Sequence, residues 1–132
     1  MEHFGGKIDF ILHSVGMSMN IRKGNTYTGL NHEFQHKTLD ISAMSLHRVC
    51  QTAYELDAMN DWGSIVALTY IAAQRVFPDY NEMADAKALL ESIARSFGYH
   101  FGVRNKVRIN TVSQSPTRTT AGSGVKGFDG FI

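Results

Sequence analysis

Three short apolar runs, separated by two stretches long enough to form helices, constrain this sequence more than any other feature. Lys7 to Leu12 reads Lys-Ile-Asp-Phe-Ile-Leu after Gly5-Gly6 and predicts a buried strand. From Asn31 to about Asn60 there is neither Gly nor Pro, and apolar side chains recur at Leu39, Ala43, Leu46, Cys50 and Ala53. That spacing traces one face of a long helix, with Asn31 as a natural N-cap. Gly63 closes the stretch, and Ser64-Ile65-Val66-Ala67-Leu68 predicts a second strand. Pro78 precedes a second helix, expected from roughly Tyr80 to Phe101 and stopped near Gly102. Arg108 to Ser113 predicts a third strand, and the Gly-, Ser- and Thr-rich segment from Ser115 to Gly124 predicts a surface loop.

The pattern is β-α-β-α-β. Continuous apolar strands joined by long helices imply an α/β fold with a parallel sheet, right-handed crossovers and cover on both faces. Three strands and two helices make one mononucleotide-sized half of a Rossmann-like doubly wound sheet. Residues 1–132 are therefore expected to form a partial domain, the second half of such a sheet, with an N-terminal half and a closing strand and helix lying elsewhere. Thirteen basic residues against 12 acidic ones leave no electrostatic footprint of a nucleic-acid binder. No apolar run approaches the ~20 residues of a membrane span. The N-terminus carries no apolar signal region, and the single cysteine, Cys50, suits the cytoplasm and reads as a small core side chain. A cytoplasmic location is expected.

His32-Glu33-Phe34-Gln35-His36 matches the His-Glu-x-x-His pattern, in which two imidazoles one helical turn apart share a zinc ion. A third ligand is what this chain fails to offer. At ~1.5 Å per residue, Glu55 on the same helix lies about 28 Å beyond His36. Asp40 is nearer but projects in parallel with the histidines. Leu39 and Ser42 stand where the longer pattern has Gly and His. The segment reads as a solvated helix start, and no metal is expected.

Tyr70 falls at the C-terminal end of the second strand, where open α/β sheets bind ligands. Tyr80 and Lys87 are seven residues apart, two turns and about 10 Å along one face if both are helical. A phenol with its ordinary pKa near 10 is a poor acid at neutral pH, and a lysine beside it lowers that value. Spacing alone leaves a plainer reading open, an aromatic edge and a solvated lysine.

The wider sequence narrows the choice. Ala67-Leu68-Thr69-Tyr70 is followed by Pro78-Asp79-Tyr80-Asn81-x-Met83-x-x-Ala86-Lys87-Ala88-x-Leu90-Glu91. This resembles the active-site strand and helix of the enoyl-[acyl-carrier-protein] reductases, divergent short-chain dehydrogenases with six residues between Tyr and Lys. Val107-Arg108-Ile109-Asn110-x-Val112-Ser113-x-x-Pro116-Thr117-Arg118-Thr119 and Leu12-His13-Ser14-Val15-Gly16 extend the resemblance over nearly the whole chain.

The resemblance implies a role for each matching position. Tyr80 is similar to the tyrosine that hydrogen-bonds the thioester carbonyl and stabilises the enolate. Tyr70 is similar to the family's second active-site tyrosine, and Lys87 to the lysine that binds the nicotinamide ribose. Ser14, Val15 and Gly16 match the strand-end turn beside the cofactor, which Leu68 also lines. Pro116, Thr117 and Thr119 fall where the family holds the nicotinamide amide and pyrophosphate. Residues 114–132 match part of the substrate-binding loop, with Phe128 against the acyl chain. The implied cofactor is NADH, with NADPH left open because the residue that tests the adenosine ribose lies outside this sequence. The implied partners are acyl carrier protein and further copies of the chain, a tetramer in the family.

Some positions depart from the pattern. Gln114-Ser115 replace the Ala-Gly that commonly precedes the proline. Of the family's basic residues facing the acidic carrier only Lys126 is matched, with Asp129 and Gly130 at other such positions. Gly-x-Gly-x-x-Gly and the related phosphate-binding turns are missing, so the isolated chain is expected to be inactive. Two alternatives are an inactive association module and a short-chain carbonyl dehydrogenase. Against the second, Ala84 and Asp85 occupy the region where Tyr-x-x-x-Lys would place its lysine.

Overall fold

The computed structural model describes residues 5–115. Its sheet has three parallel strands in sequence order, β1 (Ile8–His13), β2 (Met59–Thr69) and β3 (Arg108–Ser113). Four helices connect them: α1 (Met19–Arg22), α2 (His32–Leu39), α3 (Ser45–Glu55) and α4 (Met83–Asn105). The β-α-β-α-β order read from the sequence is the observed one.

The first long helix is divided. Asn31 caps α2, its side chain accepting from Phe34 N–H at 3.0 Å. A π-helical turn, Asp40–Met44, then separates α2 from α3. The wider turn brings both Ser42 and Ala43 inward, where a regular helix would stagger them. Beyond it Leu46, Cys50 and Ala53 are buried on the face that the spacing predicts. Helix α3 stops at Glu55, five residues before the expected end near Asn60, and β2 begins at Met59.

Gly63 therefore lies inside a strand. The β1–β2 register jumps from Ile8 opposite Met59 to Phe10 opposite Ser64, so Asn60–Gly63 bulge out and Trp62 takes a φ of 63°. A Cβ at Gly63 would lie 2.9 Å from Met59 Cε and 3.0 and 3.2 Å from the carbonyl oxygens of Asn60 and Asp9. Close backbone approach requires glycine at this point.

Helix α4 starts at Met83, three residues later than expected, and runs through Gly98 and Gly102 to Asn105. It ends at Lys106 in the left-handed region, φ 63°. The core of Leu46, Cys50, Met59, Ile65, Ala67, Leu90, Phe101 and Val107 joins α3 and α4 to one sheet face. Cover on both faces was expected. Among the described residues the opposite face leaves Phe10, Leu12 and Val112 exposed.

Candidate active site

Parallel pairing brings the strand ends to one edge. His13 pairs with Ala67 and Thr69 with Ser113, so the segments that follow, Ser14–Gly16, Tyr70 and Gln114, emerge together. Just beyond β2 the chain turns at Ile71–Ala73 and again at Pro78–Tyr80, both 3₁₀ turns. Proline at the first position of the second turn is preset for it, and Tyr80 N–H donates to Phe77 O at 2.9 Å. These turns fold Tyr80 back over Tyr70, with ring centroids 5.0 Å apart and planes tilted by 50°. Phe77 also packs on Tyr70, with ring centroids 5.7 Å apart.

Tyr80 thus precedes α4, and Asn81, between the turn and the helix, has φ 62° and ψ −142°. The expectation that Tyr80 and Lys87 share two turns of one helix is corrected: Lys87 is helical and Tyr80 is not.

The electrostatics also differ from expectation. Lys87 is buried, its Nζ donates to Leu68 O at 2.9 Å, and burial holds its ammonium below the ordinary lysine range. Tyr80 is not lowered by the lysine. Burial first, and then the neighbouring Tyr70, push its phenol up to about 12. Desolvation opposes the phenolate and outweighs the cation. At neutral pH Tyr80 is therefore a protonated hydrogen-bond donor. Burial raises Tyr70 in the same direction.

Ser14 and Val15 are exposed at the strand end, and a Cβ on Gly16 would come within 3.3 Å of Met83 Cε. Leu68 is half-buried. Pro116, Thr117, Thr119, Lys126 and Phe128 lie outside the described residues. Among the described residues no group of three or more His, Cys, Asp or Glu is gathered as a metal would require, and His32 is exposed at the start of α2.

Three polar residues near this edge have no role in the spacing argument. His13 is buried with Nε2 2.7 Å from Ser45 Oγ, and burial, then the Lys87 charge, depress its pKa. Asn81 and Glu82 are buried directly after Tyr80. Glu82 interrupts an apolar helix start, and that was the available signal.

The family described as "Enoyl-(Acyl carrier protein) reductase" matches residues 1–132. The chain is 38% identical over 128 residues, 97% of its length, to enoyl-[acyl-carrier-protein] reductase [NADH] 1 of Rhizobium meliloti, covering 46% of that protein. It is similar to the crystal structure of the FabI–NADH complex from Alistipes finegoldii, with 67% identity and a TM-score of 0.97. That match covers all of this chain and 47% of the other. The Aquifex aeolicus enoyl-[acyl-carrier-protein] reductase (NADH) matches at 32% identity and TM-score 0.87, over 98% of this chain and 50% of its own. The chain spans about half the length of the relatives it matches.

Proposed function

The chain belongs to the enoyl-(acyl carrier protein) reductase family, and we propose that it supplies the reacting face of an enzyme that reduces trans-2-enoyl thioesters on acyl carrier protein with NADH. The observation that carries this reading is the stacked Tyr70–Tyr80 pair at the strand ends, with buried Lys87 about one turn into the helix that follows. Residues present fit a nicotinamide cofactor. An ammonium has three protons, and among the described residues Lys87 spends one on Leu68 O, leaving donors suited to ribose hydroxyls. The exposed Ser14–Gly16 turn offers close backbone approach beside it. Pro116, Thr117 and Thr119 are proposed to hold the rest of the dinucleotide, and Phe128 the acyl chain.

When bound, the cofactor supplies a hydride to the β-carbon of the enoyl thioester. The chain's own contribution is electrostatic. Negative charge develops on the thioester oxygen, and Tyr80, kept protonated by its burial, donates a hydrogen bond to it. Tyr70 shapes the same wall and shields Tyr80 from water. The acyl carrier and an oligomer of like chains complete the proposal. A second reading, an association module without activity of its own, draws on exposed Phe10, Leu12 and Val112 on one sheet face.

The test is a chimera in which this chain replaces the matching half of the Alistipes finegoldii protein. NADH oxidation with an enoyl thioester is expected, and Tyr80→Phe should lower it about 100-fold, as loss of an oxyanion donor does. A change within about 3-fold would show that Tyr80 does not hold the developing oxyanion.

A further inference from the structure

Glu82 is wholly buried two residues after Tyr80, at the mouth of α4. One carboxyl oxygen accepts from Ser18 Oγ and the other from Asn20 Nδ2, both by short hydrogen bonds. The two donors belong to the segment that follows the Ser14–Gly16 turn, so one side chain links the wall beside Tyr80 to the end of β1. Ser18 Oγ also accepts from Ile21 N–H at 3.1 Å, capping α1. Asn20 Oδ1 accepts from Asn31 N–H at 2.9 Å and Asn25 Nδ2 at 2.8 Å.

The network closes on itself. Asn25 O accepts from Asn81 Nδ2 at 2.6 Å, and Asn81 Oδ1 accepts from Glu82 N–H at 3.0 Å. Asn81 holds φ 62° and ψ −142°, a region that a non-glycine residue enters at a cost of about 1–3 kcal/mol. Such a conformation persists where surrounding contacts over-determine it, and those contacts come from residues 18–25 through Glu82. The strained residue is the one that sets the direction in which Tyr80 leaves the turn.

We propose that Glu82 is a positioning residue: its buried carboxyl clamps the segment 18–25 to the Asn81 turn and so fixes the Tyr80 hydroxyl for the reaction. This rests on the function proposed above for Tyr80, but its structural half is independent of it. Removing the clamp frees two neutral donors in a buried site and lets Asn81 relax toward a common backbone conformation. Tyr80 then keeps its chemistry and loses its aim.

The decisive experiment is a double-mutant cycle in the Alistipes finegoldii chimera, with Tyr80→Phe measured alone and on Glu82→Leu. Glu82→Leu is expected to lower kcat by about 10-fold or more with KM for NADH within about 2-fold, and Tyr80→Phe on that background to cost less than about 3-fold further, since coupled residues are non-additive. Glu82→Gln keeps an acceptor for Asn20 and should recover most of kcat. If Tyr80→Phe costs as much on Glu82→Leu as on the unsubstituted chimera, the proposal is overturned. If Glu82→Leu does not fold, Ser18→Ala carries the same cycle with the carboxyl left in place. Amide exchange at Tyr80 and Ala84, which donate to Phe77 O and Asn81 O, reports the turn without any catalysis. Faster exchange at both in Glu82→Leu or Ser18→Ala is expected. Unchanged exchange overturns the proposal even if the chimera is a reductase, and an inactive chimera with faster exchange overturns only the functional reading of Tyr80.

Discussion

Tyr80 shows how burial sets a residue's chemistry. Its phenol is carried from the ordinary 10.0 up to about 12, because the pocket disfavours the phenolate more than Lys87, bound to Leu68 O, favours it. A folded-state value above the unfolded one means that the folded protein retains the proton longer. This contribution to stability is complete below about pH 10 and is lost as pH rises through about 12. Lys87 has the opposite sign. Its depressed folded value makes charging costly, and that cost is relieved as pH rises toward the ordinary 10.5. Ultraviolet titration of the tyrosines should show a late ionisation near pH 12 that disappears in Tyr80→Phe. A titration unchanged by that substitution would place Tyr80 in water. The sequence made Tyr70, Tyr80 and Lys87 legible as types at meaningful positions. It could not reveal which group perturbs which, because that depends on the turns that bring the two rings together.

Among the elements, the periodic segments were legible and their ends were not. The apolar spacing of residues 39–53 found the buried face of α3, and Asn31 marked the cap of α2. The π turn at Asp40–Met44 escaped, since one extra residue in a turn leaves the apolar pattern almost intact. Gly63 was misleading for a definite reason. Glycine punctuates helices, but in this chain it answers the crowding of Asp9 and Asn60 backbone inside a bulged strand. Tyr80 was placed on a helix because nothing in the sequence reveals the positive φ of Asn81, whose conformation is imposed by residues 18–25. That origin makes a prediction. Asn81→Ala keeps the strain and loses both side-chain hydrogen bonds, and should destabilise by about 2 kcal/mol. Asn81→Gly loses the same bonds but relieves about 1 kcal/mol of strain, so it should unfold at a higher denaturant concentration than the alanine variant. The reverse order would show that the turn is unstrained.

Across the molecule, the described residues form a two-layer structure with helices on one sheet face, and the other face carries exposed Phe10, Leu12 and Val112. Parallel sheets are ordinarily covered on both sides. The pairing of apolar runs with long helices made this architecture legible, while the identity of whatever covers the second face is not written in the strands themselves. The relatives are about twice as long as this chain, in keeping with a reacting face completed by further structure. Whether the chain supplies that face for enoyl reduction is decided by product analysis of the Alistipes finegoldii chimera. It would be run with NADH deuterated at the transferring position of the nicotinamide and an enoyl thioester as acceptor. One deuterium at the β-carbon of a saturated acyl thioester is the expected result. Deuterium recovered on a carbinol carbon, as in reduction of a carbonyl, or no transfer by an intact, NADH-binding chimera, would contradict it.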